Sequence, residues 1–136
     1  PDCNGWPTSG AEAIRATPAR SGNYSCKVCA DGTSVAIAIS HDLGALEAGH
    51  YVFNAWVRRR AVTAAPSEAF ARVDADTHDG LVQATAPTVT IRDAWDLLEV
   101  PFDLATSATN VRVSIVAPAA EAERCLFVDD VMLRAE

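Results

Sequence analysis

Nearly every patterned stretch of this chain alternates between apolar and polar residues, and almost none repeats with the period of a helix. Alternation with period two is the mark of strands that bury one face. His50 to Arg59 is the clearest case: Tyr51, Phe53, Ala55 and Val57 share one face, and Val52, Asn54, Trp56 and Arg58 share the other. Asn23 to Cys29 likewise sets Tyr24, Cys26 and Val28 against Ser25, Lys27 and Cys29. A turn at Ala30-Asp31-Gly32 leads to a second strand over Thr33–Ser40, followed by a link containing Gly44 and Gly49. Further strands are predicted at Glu68–Asp74, Thr88–Arg92, Asp96–Leu104, Asn110–Ala117 and Cys125–Arg134, separated by Gly-, Pro-, Ser- and Asn-containing turns. Eight or so short strands without a long helical window predict an all-β chain folded as an antiparallel two-sheet β-sandwich. Short alanine-driven helices are expected at Ala11–Arg15 and Ala119–Glu123. No repeat or linker interrupts the 136 residues, so a single domain spanning 1–136 is expected.

Charge narrows the partners. Eleven basic residues face eighteen acidic ones, a formal net charge of −7, which repels phosphate backbones and argues against nucleic acid. Lys27 is the only lysine, and Arg58-Arg59-Arg60 is the only local basic cluster. The longest apolar run, Val35 to Ile39, is far short of the roughly 20 residues that a membrane-crossing helix needs, so no membrane insertion is expected. The chain begins at Pro1, as the mature end of a secreted protein or a piece of a larger one would. Four cysteines in so short a chain point to an oxidising, extracellular or cell-surface setting.

Gly5-Trp6, the run from Ser21 to Val28 with Asp31-Gly32 behind it, Leu46 to Arg58, and Trp95 to Leu98 leading to Phe127 to Leu133 occur in a familiar order. Together they resemble the non-catalytic carbohydrate-binding modules of the galactose-binding-like jelly-roll type, found in secreted and surface bacterial proteins. The resemblance spans nearly the whole chain. It implies two packed antiparallel sheets (a jelly roll), often a structural calcium ion, and frequently a sugar site on the concave sheet or in loops at one end. The same fold also serves as a structural or adhesion module, so fold alone does not settle function. Cys26 and Cys29 depart from the common pattern, which carries Leu and Thr there.

Cys26 and Cys29 have the spacing of a zinc knuckle or a redox pair, and with Cys3 and Cys125 they would make four sulfur ligands. A redox pair sits at a helix start, and a knuckle needs a tight turn, whereas this segment alternates as a strand. Residues 26 and 29 of a strand point to opposite faces, so each is expected to pair with Cys3 or Cys125. Taking Cys125 as inward with Phe127, Val131 and Leu133, and Cys26 as inward with Val28, parity favours Cys26–Cys125 and Cys3–Cys29.

Asp129-Asp130 lies in the last predicted strand, where one of two adjacent carboxylates turns inward at a cost unless it is paired. Parity makes Asp129 the inward one. With the calcium that the resemblance implies, Asp129 and Asp2 are the candidate ligands; the alternative partners are backbone amides or an arginine. A glycosidase needs two carboxylates about 5–10 Å apart across a sugar, which neighbours on a strand do not supply. No nucleophile triad, phosphate loop or histidine metal motif is present, and His41, His50 and His78 are scattered.

Sugar rings stack on aromatic faces and bond through hydroxyls to amide and charged groups. Trp56, with Asn54 and Arg58 two residues away on the same face, is the expected binding trio, the ring as platform and its neighbours as hydrogen-bonding groups. Trp6 and Trp95 read as structural. A polysaccharide or glycan held weakly, as part of a larger protein that gains by multivalency, is the expected partner. The alternative is a structural or adhesion domain in which Trp56 covers a sheet face.

Overall fold

The computed structural model describes residues 8–9, 11–16, 20, 25–30, 37–59, 67–91, 94–117 and 125–136. Every regular element among them is a strand: β1 (Thr8–Ser9), β2 (Ala11–Ala16), β3 (Ser25–Ala30), β4 (Ile37–Leu46), β5 (Gly49–Arg59), β6 (Ser67–Thr77), β7 (Gly80–Thr85), β8 (Val89–Ile91), β9 (Asp96–Leu104), β10 (Ala108–Ala117) and β11 (Cys125–Ala135). One sheet runs β1-β4-β10-β6-β7, with β8 also pairing β6, and the other runs β2-β3-β11-β5-β9. All pairings are antiparallel. The expected two-sheet sandwich is the observed architecture.

Alternation decides which side chains meet between the sheets. In β9, Leu98, Val100, Phe102 and Leu104 are buried while Glu99, Pro101 and Asp103 are exposed. β5 sends Phe53, Ala55 and Val57 inward to face Val111, Val113 and Ile115 of β10 and the small residues Ala69, Ala71, Val73 and Ala75 of β6. Each fully buried Val, Leu, Ile or Phe contributes about 1.5–3 kcal/mol. The alanines let the two layers approach closely under the larger Phe53 and Leu98. Pro101 is tolerated because β9 is an edge strand, so its missing N–H costs no ladder bond on the open side.

The second predicted strand ends later than expected. β4 runs on through Gly44 to Leu46, because Gly44 adopts φ 77° and absorbs a register shift opposite Val111 and Arg112. Ala11–Ala16 is a strand, correcting the expected helix: pairing from Ala11↔Ala30 to Ala16↔Ser25 outweighs the helix preference of alanine. β7 was missed because its apolar residues are few. The expected helix at Ala119–Glu123, and the start of the second strand, lie outside the described residues.

A second bulge matters more. In β11, Leu126 and Val128 belong to the core, whereas beyond the bulge Val131 and Leu133 pack against it. The inward parity thus switches between Val128 and Val131, where the β5 pairing shifts register between Asp129 and Met132. Asp130 sits in the shift with φ 46°, a left-handed conformation that aspartate tolerates better than most side chains.

This switch corrects the cysteine pairing. Cys125 and Phe127 lie on the outer face rather than the core face, and Cys125 stands directly opposite Cys29, also on the outer face of β3. Residues opposite one another in an antiparallel pair share a face. The disulfide accordingly joins Cys29 to Cys125, with Cα atoms 4.0 Å apart, not Cys26 to Cys125. Cys26, opposite Val128 on the core face, is also disulfide-bonded; Cys3 lies outside the described residues.

Candidate functional site

The outer face of the five-stranded sheet gathers the residues singled out from the sequence. Val52, Asn54, Trp56 and Arg58 alternate with the inward residues of β5 and so project together from the other side. Trp56 is flanked by Asp129 on β11 and Leu97 on β9, and Asn54 by Met132 and Glu99. Arg58 stands beside Phe127, which in turn stands beside Lys27 of β3. Trp56, Asn54, Arg58 and Lys27 are all half-buried, whereas Leu97 and Met132 are 40% and 53% exposed. The Asn54 amide makes no side-chain hydrogen bond among the described residues. Its donors and acceptor are available beside the indole.

Asp129 is corrected from an inward to an outward residue, because the bulge follows it rather than precedes it. Its two oxygens accept hydrogen bonds at 2.8 Å from the backbone N–H of Arg20 and of Asp130. These N–H donors offset part of the cost of the carboxylate, as the alternative of backbone amides and an arginine expected. Asp2, the other candidate calcium ligand, lies outside the described residues.

Arg20 is the member of this site that sequence reasoning missed. Its guanidinium lies 3.7 Å from the centroid of the Trp56 ring and donates to Asp130 Oδ2 at 2.8 Å. Arg20 lies between β2 and β3, 109 residues before Asp129, so no local spacing links them. The scarcity of cations in an acidic chain was the one available signal. The stacking contributes about 0.5–1 kcal/mol at an exposed position. The ion pair, with side chains 37% and 27% exposed, adds at most about 1 kcal/mol. Arg20 thus covers the indole with a guanidinium whose stacking and ion pair are each weak.

The other sheet presents a different surface. Asp42, Arg112, Asp74 and Gln83 form a rung across β4, β10, β6 and β7. Arg112 donates to both Asp42 oxygens at 2.8 and 3.2 Å, and Asp74 accepts from Arg72 at 3.0 Å and Gln83 at 2.6 Å. The Arg112 bond holds the Asp42 carboxyl below its usual range, and Asp42 raises Arg112 in return. Charges on this face answer one another. A separate cleft of about 260 Å³ opens between the layers, lined by His41, Leu43, Phe53, Val113, Val131, Met132 and Leu133.

No protein-family model and no curated protein matches the chain. Solved structures do. A family 22 xylan-binding domain from Paenibacillus barcinonensis superposes with a TM-score of 0.79 at 15% identity, covering 98% of this chain and 87% of that one. The C-terminal family 22 carbohydrate-binding module of a Clostridium thermocellum xylanase gives a TM-score of 0.74 at 17% identity, covering 97% and 86%. A family 61 module in complex with β-1,4-galactotriose gives 0.69 at 18%, covering 98% and 90%. The fold is therefore the β-sandwich of carbohydrate-binding modules, as the sequence resemblance implied.

Proposed function

We propose that this domain is a non-catalytic carbohydrate-binding module that holds a polysaccharide on the outer face of its five-stranded sheet. Trp56 is the platform, and Asn54, Arg58 and Arg20 supply hydrogen bonds around it. The observation that carries the reading is the placement, on the outer face of one sheet, of a half-buried indole beside an amide without a hydrogen-bonding partner among the described residues. Such a group loses little on leaving water for a sugar hydroxyl. The solved xylan- and galactotriose-binding modules of the same fold support it. Asp129 and Asp130 both turn to one arginine, so they do not flank a scissile bond, and the reading is binding without hydrolysis. A shallow face of this kind suits a module of a larger extracellular protein, and the Cys29–Cys125 disulfide suits an oxidising compartment.

Affinity electrophoresis through gels containing soluble polysaccharides tests this directly. Wild-type protein is expected to be retarded by at least one polymer, and Trp56→Ala to migrate freely with an unchanged circular dichroism spectrum. Equal retardation of both proteins would reject Trp56 as the platform. A second reading, a structural or adhesion domain without a sugar, draws on the Arg20 guanidinium already covering the indole. On that reading no polymer retards the wild type, and Arg20→Ala and Trp56→Ala lower the melting temperature alone.

A further inference from the structure

Resting on the reading of this face as a sugar site, we infer that the polysaccharide it takes carries acetyl groups, read by Asn54, Met132 and Leu97. Asn54 stands at the centre of a grid on the outer face of the five-stranded sheet. In its own row it has Glu99 of β9 on one side and Met132 of β11 on the other. The row ahead along β5 holds Leu97, Trp56 and Asp129, and the row behind holds Pro101, Val52 and Arg134. Met132 faces outward with Asn54, because Val131 and Leu133 on either side of it pack against the core. Leu97 and Met132 are 40% and 53% exposed, and with Leu81 they are the exposed large apolar side chains among the described residues. Two of those three thus border Asn54.

The charges in this grid answer one another. Glu99 approaches Arg134 at 3.8 Å, Arg134 also reaches Glu136 at 4.0 Å, and Asp129 accepts from the backbone N–H groups of Arg20 and Asp130. What is left for a ligand is a neutral amide, without a hydrogen-bonding partner among the described residues, set between apolar neighbours. A bare sugar hydroxyl laid against Leu97 or Met132 gives up water and gains no partner there. An acetyl group suits the same place. Its carbonyl accepts from the Asn54 amide, and its methyl lies on the thioether of Met132, an unbranched and adaptable side chain. Leu97, two strands away and one row ahead, is roughly 12 Å from Met132 at the backbone, so it meets a second acetyl group further along the polymer. With Arg20 stacked on Trp56, Leu97 and Met132 both keep their exposure, so acetyl groups reach them without displacing the guanidinium.

Titration calorimetry with acetylated xylan beside its alkali-deacetylated form, and with chitopentaose beside cellopentaose, tests the inference. The first pair asks for ester-linked acetyl groups and the second for amide-linked ones; preference for the acetylated member of either pair supports the proposal. Wild-type protein is expected to hold that member about 10- to 50-fold tighter, the sum of one buried methyl group and one net hydrogen bond. The ratio is expected to fall several-fold in Met132→Ser and in Leu97→Ser, with circular dichroism confirming that each variant is folded. Equal affinity for both members of each pair, lost in Trp56→Ala, overturns the acetyl inference and leaves the sugar site standing. A preference that survives Met132→Ser and Leu97→Ser combined overturns it too. Binding of none of the four ligands by folded wild type overturns the inference, and retardation by another polymer in the gels then keeps the sugar site.

Discussion

Replacing Asp130 by valine and, separately, by glycine isolates the cost of the bulge that turns β11 over. At φ 46° a left-handed backbone costs an ordinary L-residue roughly 1–2 kcal/mol, and a β-branched side chain more, whereas glycine adopts it freely. Both variants lose the Arg20–Asp130 ion pair, about 0.2–1 kcal/mol at this exposure, so that loss cancels between them. What remains is the backbone difference, about 2 kcal/mol in favour of glycine. Against wild type, Asp130→Gly is expected to be within about 1 kcal/mol and Asp130→Val to lose about 2–3 kcal/mol. Urea denaturation followed by circular dichroism reads this. With a slope of about 1–3 kcal/mol per molar urea, the midpoints of the two variants differ by roughly 1 M. Straightening the strand does not rescue the valine variant, because it would turn Val131 and Leu133 away from the core that they now touch. Midpoints within ~0.3 M of one another would refute the argument, since the left-handed residue would then carry no steric cost.

Converting Cys29 and Cys125 together to serine is expected to lower stability by about 2–5 kcal/mol, read as a drop in calorimetric melting temperature; the bridge spans 96 residues of sequence, in the range where loop closure weighs most. An unchanged melting temperature would contradict that. The Nδ1–H of His50 donates a short bond to Asp103 Oδ1 at 2.5 Å, which raises the His50 pKa above 6.5, with Glu136 adding a smaller push. Because the folded value is the higher one, the stabilisation is present in full below pH 6.5 and is lost as pH rises through the folded value. The melting temperature of Asp103→Asn should therefore fall below wild type at pH 5 and converge with it in alkaline buffer; a gap that widens with pH would reverse the assignment. Asp42 works in the opposite sense. Its lowered pKa gives stability present above 3.8 and lost as pH falls, and Arg112→Ala should shift the Asp42 carboxyl resonance titration upward in NMR.

Most of the sandwich was legible because alternation is a local property. β9 needs no knowledge of its neighbours to sort Leu98, Val100, Phe102 and Leu104 from Leu97, Glu99, Pro101 and Asp103. The same logic placed Trp56, Asn54 and Arg58 on one face. It failed where a single residue breaks the count: Asp130 inverts the second half of β11, so reading inward parity back from Leu133 assigns Cys125, Phe127 and Asp129 to the wrong side. The disulfide error follows from that one inversion. β2 was misread for another reason, since its strand form comes from pairing with β3, which an alanine-rich hexapeptide does not announce. Arg20 reached the site through tertiary placement alone.

The rung of Asp42, Arg112, Asp74 and Gln83 has a consequence for crowding. A domain seated on a polymer by its five-stranded sheet turns this rung toward its surroundings. A neighbour seated on this back would meet charges already answered within the molecule and offering it no unpaired partner, so two such backs gain little by stacking. On the proposed binding mode, copies would coat a fibre side by side without gluing to one another.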